Sequence, residues 1–540
     1  MAEPELSADV VVVGAGVAGA LVAWRLASTD VKVLVLESGP RVDRAEAVTT
    51  FQNAVAKTPE SAYADVAYAP RPTVLDYDGY LVQTGPVTFK STYERRVGGT
   101  TWHWLGTCLR LLPADLALRT RYGVGVDWPL TYDEIEPWYF EAERALGVAG
   151  DGDEDLGAPR RHPYPMPPIP PTYLDQQVAA AVEPLGLRVL STPQARNSET
   201  HDGRPACCGS ASCIPICPIG AKYDAAVHAA KAEAAGARIL DRAVVHAIDV
   251  APDQRVTGVR FKRPDGSEGR AGARVVVVAA HAIETPKLLL MSRTSGLPNG
   301  VANSSDQVGR NLMDHPTQLS WALSRAPLYP YRGPLSTSGI EHLRDGDFRR
   351  ARAAFRIEIG NDGWTWPGGT PIDLAPQLIA EGLRGRALIA ALNEQSARHF
   401  RMASSIEQLP DPDNRVTLAD DRPDALGLPR PRIAYRLDPY VLAAMAEARR
   451  VHDRIFDALG ATARRHRDGH EGAGHIMGTY RMGTDPRTSV VDRDLRSHDH
   501  ANLFLLGSGA FPSVGTANPT LTIAALALRA VAPIARTIAG

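Results

Sequence analysis

Hydrophobic positions near the start of the chain come in unbroken blocks rather than in alternation. From Asp9 the sequence reads DVVVVGAGVAGALVAWRLASTDVKVLVLESG, and the β-branched run at residues 10–13 has the continuous apolar character of a strand covered on both faces. Glycines at 14, 16 and 19 interrupt the run, a helix-forming stretch extends to about Ala27, and a second strand at residues 31–36 ends in Glu37. Strand, glycine turn, helix and strand in this order make a βαβ unit and put the chain in the α/β class. ARVVVVAA at residues 273–280 predicts another buried parallel strand, and Val244 and Val245 mark a strand ahead of it. An apolar helix is expected after Asn518, whereas HPYPMPPIPPTY at residues 162–173 reads as an extended surface linker, because proline withholds the donor a strand needs.

A chain of 540 residues exceeds one core and implies two or more domains. The 44% hydrophobic and 22% charged shares are those of a globular protein, and a net charge of −2 without a basic run argues against nucleic acid as a partner. No run of 18 or more apolar residues is evident, and the first residues carry no basic leader followed by an apolar core and cleavage site. Export or membrane attachment is therefore expected to depend on another polypeptide.

The glycine spacing has a chemical reading. Gly14 allows the tight turn, Gly16 lets the backbone approach a pyrophosphate at the positive end of the helix, and Gly19 lets helix and strand pack closely. Glu37 is then placed to accept hydrogen bonds from a ribose. These features imply a bound dinucleotide and leave FAD and NAD equally open.

Four of the five cysteines fall within CCGSASCIPICP, at 207, 208, 213 and 217. The C-x3-C-P ending is the kind of spacing that wraps an iron–sulfur cluster. Zinc knuckles seldom use adjacent cysteines, and a disulfide suits poorly a protein that must bind its cofactor before any export. A metal cluster is the favoured reading.

RRVGGTTWHW, AAHAIETPKLLLMS, VGRNLMDHP and the tail GHIMGTYRMG…VVD…NLFLLGSGAFPSVGTANPTLTIAALAL, in this order, resemble the glucose-methanol-choline (GMC) oxidoreductases. The resemblance implies FAD, held by Gly14, Gly16, Gly19, Glu37, Gly98, Gly99, Thr100 and Val245, the last beside the adenine. It implies a Rossmann-like FAD-binding domain built from residues 6–42, 90–115, 190–316 and 475–540. Residues 43–89, 116–189 and 317–474 then form excursions and an α+β substrate domain with an antiparallel sheet. His475 and Asn518 match the family's pair at the reactive edge of the flavin, where a near-neutral base removes the hydroxyl proton as hydride leaves and an amide holds the developing alkoxide. His470, His498 and His500 have no comparable setting. His103 stands where one branch attaches FAD covalently, and noncovalent binding is expected here.

ARNS…DGRPACCGSASCIPICPIGAKY is similar to the catalytic subunits of bacterial FAD-dependent glucose, fructose and gluconate 2-dehydrogenases. That likeness implies a 3Fe-4S cluster on Cys207, Cys208 and Cys213, with Cys217 a spare thiol or fourth ligand and Cys108 unrelated. It also implies a dehydrogenase passing electrons to a cytochrome c or quinone. The expected partners are a small twin-arginine-exported subunit and a multihaem cytochrome c at the periplasmic face of the inner membrane. The best expectation for substrate is glucose or another aldose oxidised at C1 to the lactone. Ala473 and Gly474 replace asparagines that the glucose enzymes carry, which leaves gluconate, a polyol or a glycoside as alternatives. A pyranose-oxidase-like enzyme reducing O2 and a noncatalytic redox protein are the readings from other classes.

Overall fold

A computed structural model describes residues 5–55, 57–361 and 371–540. The apolar block near the start becomes the strand Leu6–Val13, whose last four residues are buried. It lies parallel between Val33–Leu36 and Glu268–Val278. Arg238–Leu240 extends the sheet beyond Val33–Leu36, and Leu503–Leu505 lies parallel to Glu268–Val278. The other edge is antiparallel, formed by Val256–Lys262 and Val244–Val250. Val244 and Val245 thus open the outermost strand of a seven-stranded mixed sheet.

Helix Val17–Ala27 follows the glycine turn and packs against Pro519–Ala539, which also contacts Tyr132–Leu146. Among the described residues one helix, Pro519–Ala539, is long and apolar enough by length and composition to cross a bilayer, with a mean hydropathy of 1.5, although it holds no unbroken run of 18 apolar residues. Threonines, Arg529 and Arg536 interrupt the run. Leu521, Ala525, Leu528 and Ile534 are buried against the first sheet and its helices, as in the core helix of a globular domain.

The second sheet is antiparallel throughout, in the order Thr462–His466, Thr317–Leu323, His399–Ile406, Phe355–Gly360, Ser338–Ile340 and Leu190–Ser191. Side chains alternate between faces along a strand. Phe355, Ile357 and Ile359 therefore pack with Phe400, Met402 and helices Tyr173–Val182 and Pro439–Ala458, while Glu358 and Ser405 face the other way. Leu190–Ser191 was expected in the first domain but closes this sheet, because it pairs with Ser338–Ile340. A small third sheet joins Val82–Gln83 to the hairpin of Arg415–Pro423 and Pro429–Ala434.

The proline-rich segment contains neither helix nor strand before Tyr173, as expected, but it is not merely a surface linker. Met166 and Ile169 are buried against Ala149, and Cys207 packs on the same cluster.

Candidate active site

The two sheets flank one continuous cavity of about 520 Å³, within the range of small-molecule and cofactor sites. Its nucleotide end is made by the βαβ unit. Gly14 has φ +102°, and a Cβ there would lie 2.5 Å from the Ala279 carbonyl oxygen. A Cβ on Gly19 would lie 2.0 Å from the Gly14 oxygen, so this glycine permits helix and turn to touch and does not itself line the cavity. A Cβ on Gly16, by contrast, meets no protein atom within 4 Å. Open space at the helix N-terminus is what a pyrophosphate needs. Glu37 lines this end, its carboxylate accepting from Ala15 N at 2.8 Å and Gly39 N at 2.9 Å. Val245 lies along the wall.

The GGTT segment forms a short 3-10 turn, Gly99–Trp102, folded against the glycine loop, where Gly98 N donates to the Ala15 carbonyl at 3.0 Å. Gly99, Thr100 and His103 line the cavity, and Gly98 only shapes the turn. His103 Nδ1 is buried 3.7 Å from Glu94 Oε1. Burial alone raises the Glu94 carboxyl, but His103, Arg71 and Arg96 outweigh it and bring the group down to about 2.

At the far end His475 Nε2 stands 3.2 Å from Asn518 Nδ2. Asn518 stands at the N-cap position of Pro519–Ala539 with no side-chain hydrogen bond to the helix, whose first turn reaches the cavity, with Pro519, Thr520 and Ile523 on the wall. His475 is held from behind. Its Nδ1 is 2.8 Å from Nδ1 of His315, whose Nε2 lies 3.1 Å from the Gly515 carbonyl oxygen. Asp314 Oδ1 accepts from the backbone N–H groups of both His315 and His475, at 2.7 and 2.9 Å, and Oδ2 accepts from Ser91 Oγ. Burial, with His315 and Arg356 nearby, holds the His475 imidazole well below its ordinary range. Burial also lowers His315 to about 4 and pushes Asp314 up to about 6. Both rings are neutral at physiological pH. A neutral imidazole facing a cavity can accept a proton, and an adjacent amide can donate to an oxyanion.

The sequence reading missed His315, Asp314 and Ser91. The first two sit in the quoted VGRNLMDHP, but nothing in that segment marks contact with a histidine 160 positions away. His281, which also lines the cavity, went unremarked; burial lowers it to about 4. None of His470, His498 and His500 borders the cavity, and His470 and His500 are buried, so these two are neither the surface nor the cofactor-contacting residues expected. The open face of the second sheet forms another wall of the cavity, including Thr317, Leu319, Glu358, Ala403 and Ser405, with Asn361 beside it. Asn361 Oδ1 is buried without a hydrogen-bond partner while its Nδ2 donates to the Pro334 carbonyl at 2.8 Å.

The cysteine segment touches the same cavity, since Ile214 and Pro215, between Cys213 and Cys217, form part of its wall. All five cysteines are free of disulfides; Cys213 and Cys217 are buried and Cys208 is exposed. Among the described residues no three His, Cys, Asp or Glu side chains gather as ligands of a single metal ion. The donor set nevertheless suits an iron–sulfur cluster: it is all sulfur, and backbone amides of Gly209 and Lys222 donate to Cys207 and Cys217 Sγ at 3.4 and 3.5 Å. Cys108 is buried apart from them, its thiol pushed up by desolvation.

Profiles described as GMC oxidoreductase match residues 9–317 and 410–527. The chain is 41% identical to the fructose dehydrogenase large subunit of Gluconobacter japonicus, covering 98% of each sequence. It is 32% identical to the 6'''-hydroxyparomomycin C oxidase of Streptomyces lividus, over 98% of this chain and 92% of that one. It is 25% identical to the gluconate 2-dehydrogenase flavoprotein of Pantoea cypripedii, over 96% and 92%. A solved formate oxidase aligns over 99% of both chains with a TM-score of 0.68 at 16% identity, a likeness of fold.

Proposed function

Because the chain belongs to the GMC oxidoreductases, FAD-binding enzymes that act on CH–OH groups, we propose that it is the catalytic subunit of a sugar dehydrogenase. The observation that carries the reading is the His475–Asn518 pair at one end of a cavity whose other end is the open space at Gly16. FAD, when bound, supplies the hydride acceptor. His475 Nε2 takes the proton of the substrate hydroxyl, and the Asn518 amide donates to the same oxygen as charge develops on it. Glu358 and Asn361 offer polar groups to the remaining hydroxyls of a polyhydroxylated substrate.

The fructose dehydrogenase relative at 41% identity favours a ketose over glucose. The glycine-rich approach to His475 agrees: Gly472 sits where a Cβ would be 1.9 Å from the Lys90 carbonyl oxygen, and Gly474 has φ +72°. This stretch presents backbone rather than amide side chains to a sugar. Cys207, Cys208 and Cys213, with Cys217 beside them, are the residues that would hold an iron–sulfur cluster, whose chemistry there is one-electron transfer. Partner subunits belong to the same proposal, supported by the relative's description as a large subunit, and a place at the periplasmic face of the inner membrane is proposed with them.

The test is anaerobic mixing of the purified holoprotein with a panel of ketoses, aldoses, sugar acids and polyols, following flavin bleaching. Bleaching by a sugar, abolished in His475→Ala with FAD retained, is expected. Bleaching in that variant at the wild-type rate refutes the base assignment, and bleaching by no sugar refutes the substrate class.

A further inference from the structure

A histidine can act as a general base only through a ring nitrogen that carries no proton, and a neutral imidazole has one such nitrogen, chosen by what its other nitrogen bonds to. The hydrogen-bond chain behind His475 begins at the carbonyl of Gly515, which can only accept. His315 Nε2, 3.1 Å from that oxygen, therefore carries the proton. The His315 ring is neutral, so its Nδ1 is a bare acceptor. Nδ1 of His475 lies 2.8 Å from it and must be the donor, which leaves His475 Nε2 without a proton. Asn518 Nδ2, a donor 3.2 Å from that nitrogen, matches this state. The reverse assignment would set the Gly515 oxygen against a bare nitrogen at 3.1 Å, a pair of acceptors in a buried place.

We propose that His315 is a positioning residue that locks His475 in the one neutral tautomer whose Nε2 lone pair faces the substrate. The device is braced by Asp314, a single carboxylate oxygen of which holds the backbone N–H groups of both histidines. The rings meet edge to face, their planes at 85° and centroids 5.0 Å apart, so one cannot turn without losing the contact. Without His315 the His475 ring is free to move its proton to Nε2, where it cannot accept another. The inference rests on His475 being the base, and it adds how that base is kept ready.

Two measurements on the holoprotein test it. Long-range proton–nitrogen correlation spectra of protein labelled with 15N-histidine, assigned through His475→Gln and His315→Asn, read the tautomers directly. The expected pattern is a proton on Nδ1 of His475 and on Nε2 of His315; a proton on Nε2 of His475 in the resting protein overturns the proposal. The second is the rate of flavin reduction. His315→Leu is expected to lower kcat on the order of 10²-fold or more with KM little changed. His315→Asn restores an acceptor near the Nδ1 position and is expected to recover most of that loss. Equal losses in both variants indicate a packing role and overturn it, as does a wild-type rate in His315→Leu while His475→Ala is inactive. An active His475→Ala instead removes the base reading itself. If His315→Leu does not fold, the spectra and the Asn variant decide.

Discussion

Replacing Gly16 by alanine separates the cofactor's requirement from the fold's. The residue precedes helix Val17–Ala27 with φ −76° and ψ −171°, a conformation open to any amino acid. A Cβ there meets nothing within 4 Å. The loss of unfolded-chain entropy favours alanine by about 0.4–1 kcal/mol, and the poorer capping of alanine takes back a similar amount. The apoprotein should melt within a few degrees of wild type. The methyl instead fills the space reserved for the pyrophosphate. Displacing one charge-assisted hydrogen bond costs about 1.5–3 kcal/mol, or roughly 10- to 100-fold in affinity. The assay is FAD uptake by apoprotein, followed by flavin fluorescence quenching, with thermal melting of the same sample. Gly19→Ala is the contrast, since its Cβ falls 2.0 Å from a backbone oxygen and should depress the melting temperature first. Wild-type FAD uptake by Gly16→Ala would refute the placement of the pyrophosphate, and unfolding of that variant would refute the claim that the space is free.

The buried neutral histidines also set an acid limit. His315 and His281 are lowered from 6.5 to about 4, so the unfolded chain binds their protons first and stability is lost as pH falls from 6.5 through about 4. For His315 the gap corresponds to about 3 kcal/mol, partly offset between pH 6 and 4 by Asp314, whose raised carboxyl gains a proton earlier in the folded state. Melting temperature against pH should drop steeply below 6, and a flat profile from pH 7 to 4 contradicts the neutral, buried state. Cys213→Ser should lower bound iron and its low-temperature EPR signal while leaving sugar-dependent flavin bleaching intact; unchanged iron content removes Cys213 from the ligands.

The first βαβ unit was fully legible because its signal is local: apolar runs, glycine spacing and Glu37 lie within 30 positions and each has a steric reason. Even the division of labour among Gly14, Gly16 and Gly19 follows from what a Cβ would meet. His475 and Asn518 needed the family resemblance, since one histidine among fifteen carries no mark of its partner. Pro519–Ala539 was legible as an apolar helix, but its burial depends on the neighbours it meets, which no local pattern names.

What the sequence by itself determined was the α/β class, the dinucleotide turn and the crowding of thiols at 207–217. Only the tertiary structure decided that Ile214 and Pro215 of the thiol-rich segment line the cavity, that Leu190–Ser191 closes the second sheet, and that His315 stands behind His475. The reason is range. Spacing along a chain specifies turns and helix faces, but a hydrogen bond between residues 160 positions apart exists only once two sheets and a carboxylate have fixed both backbones in place.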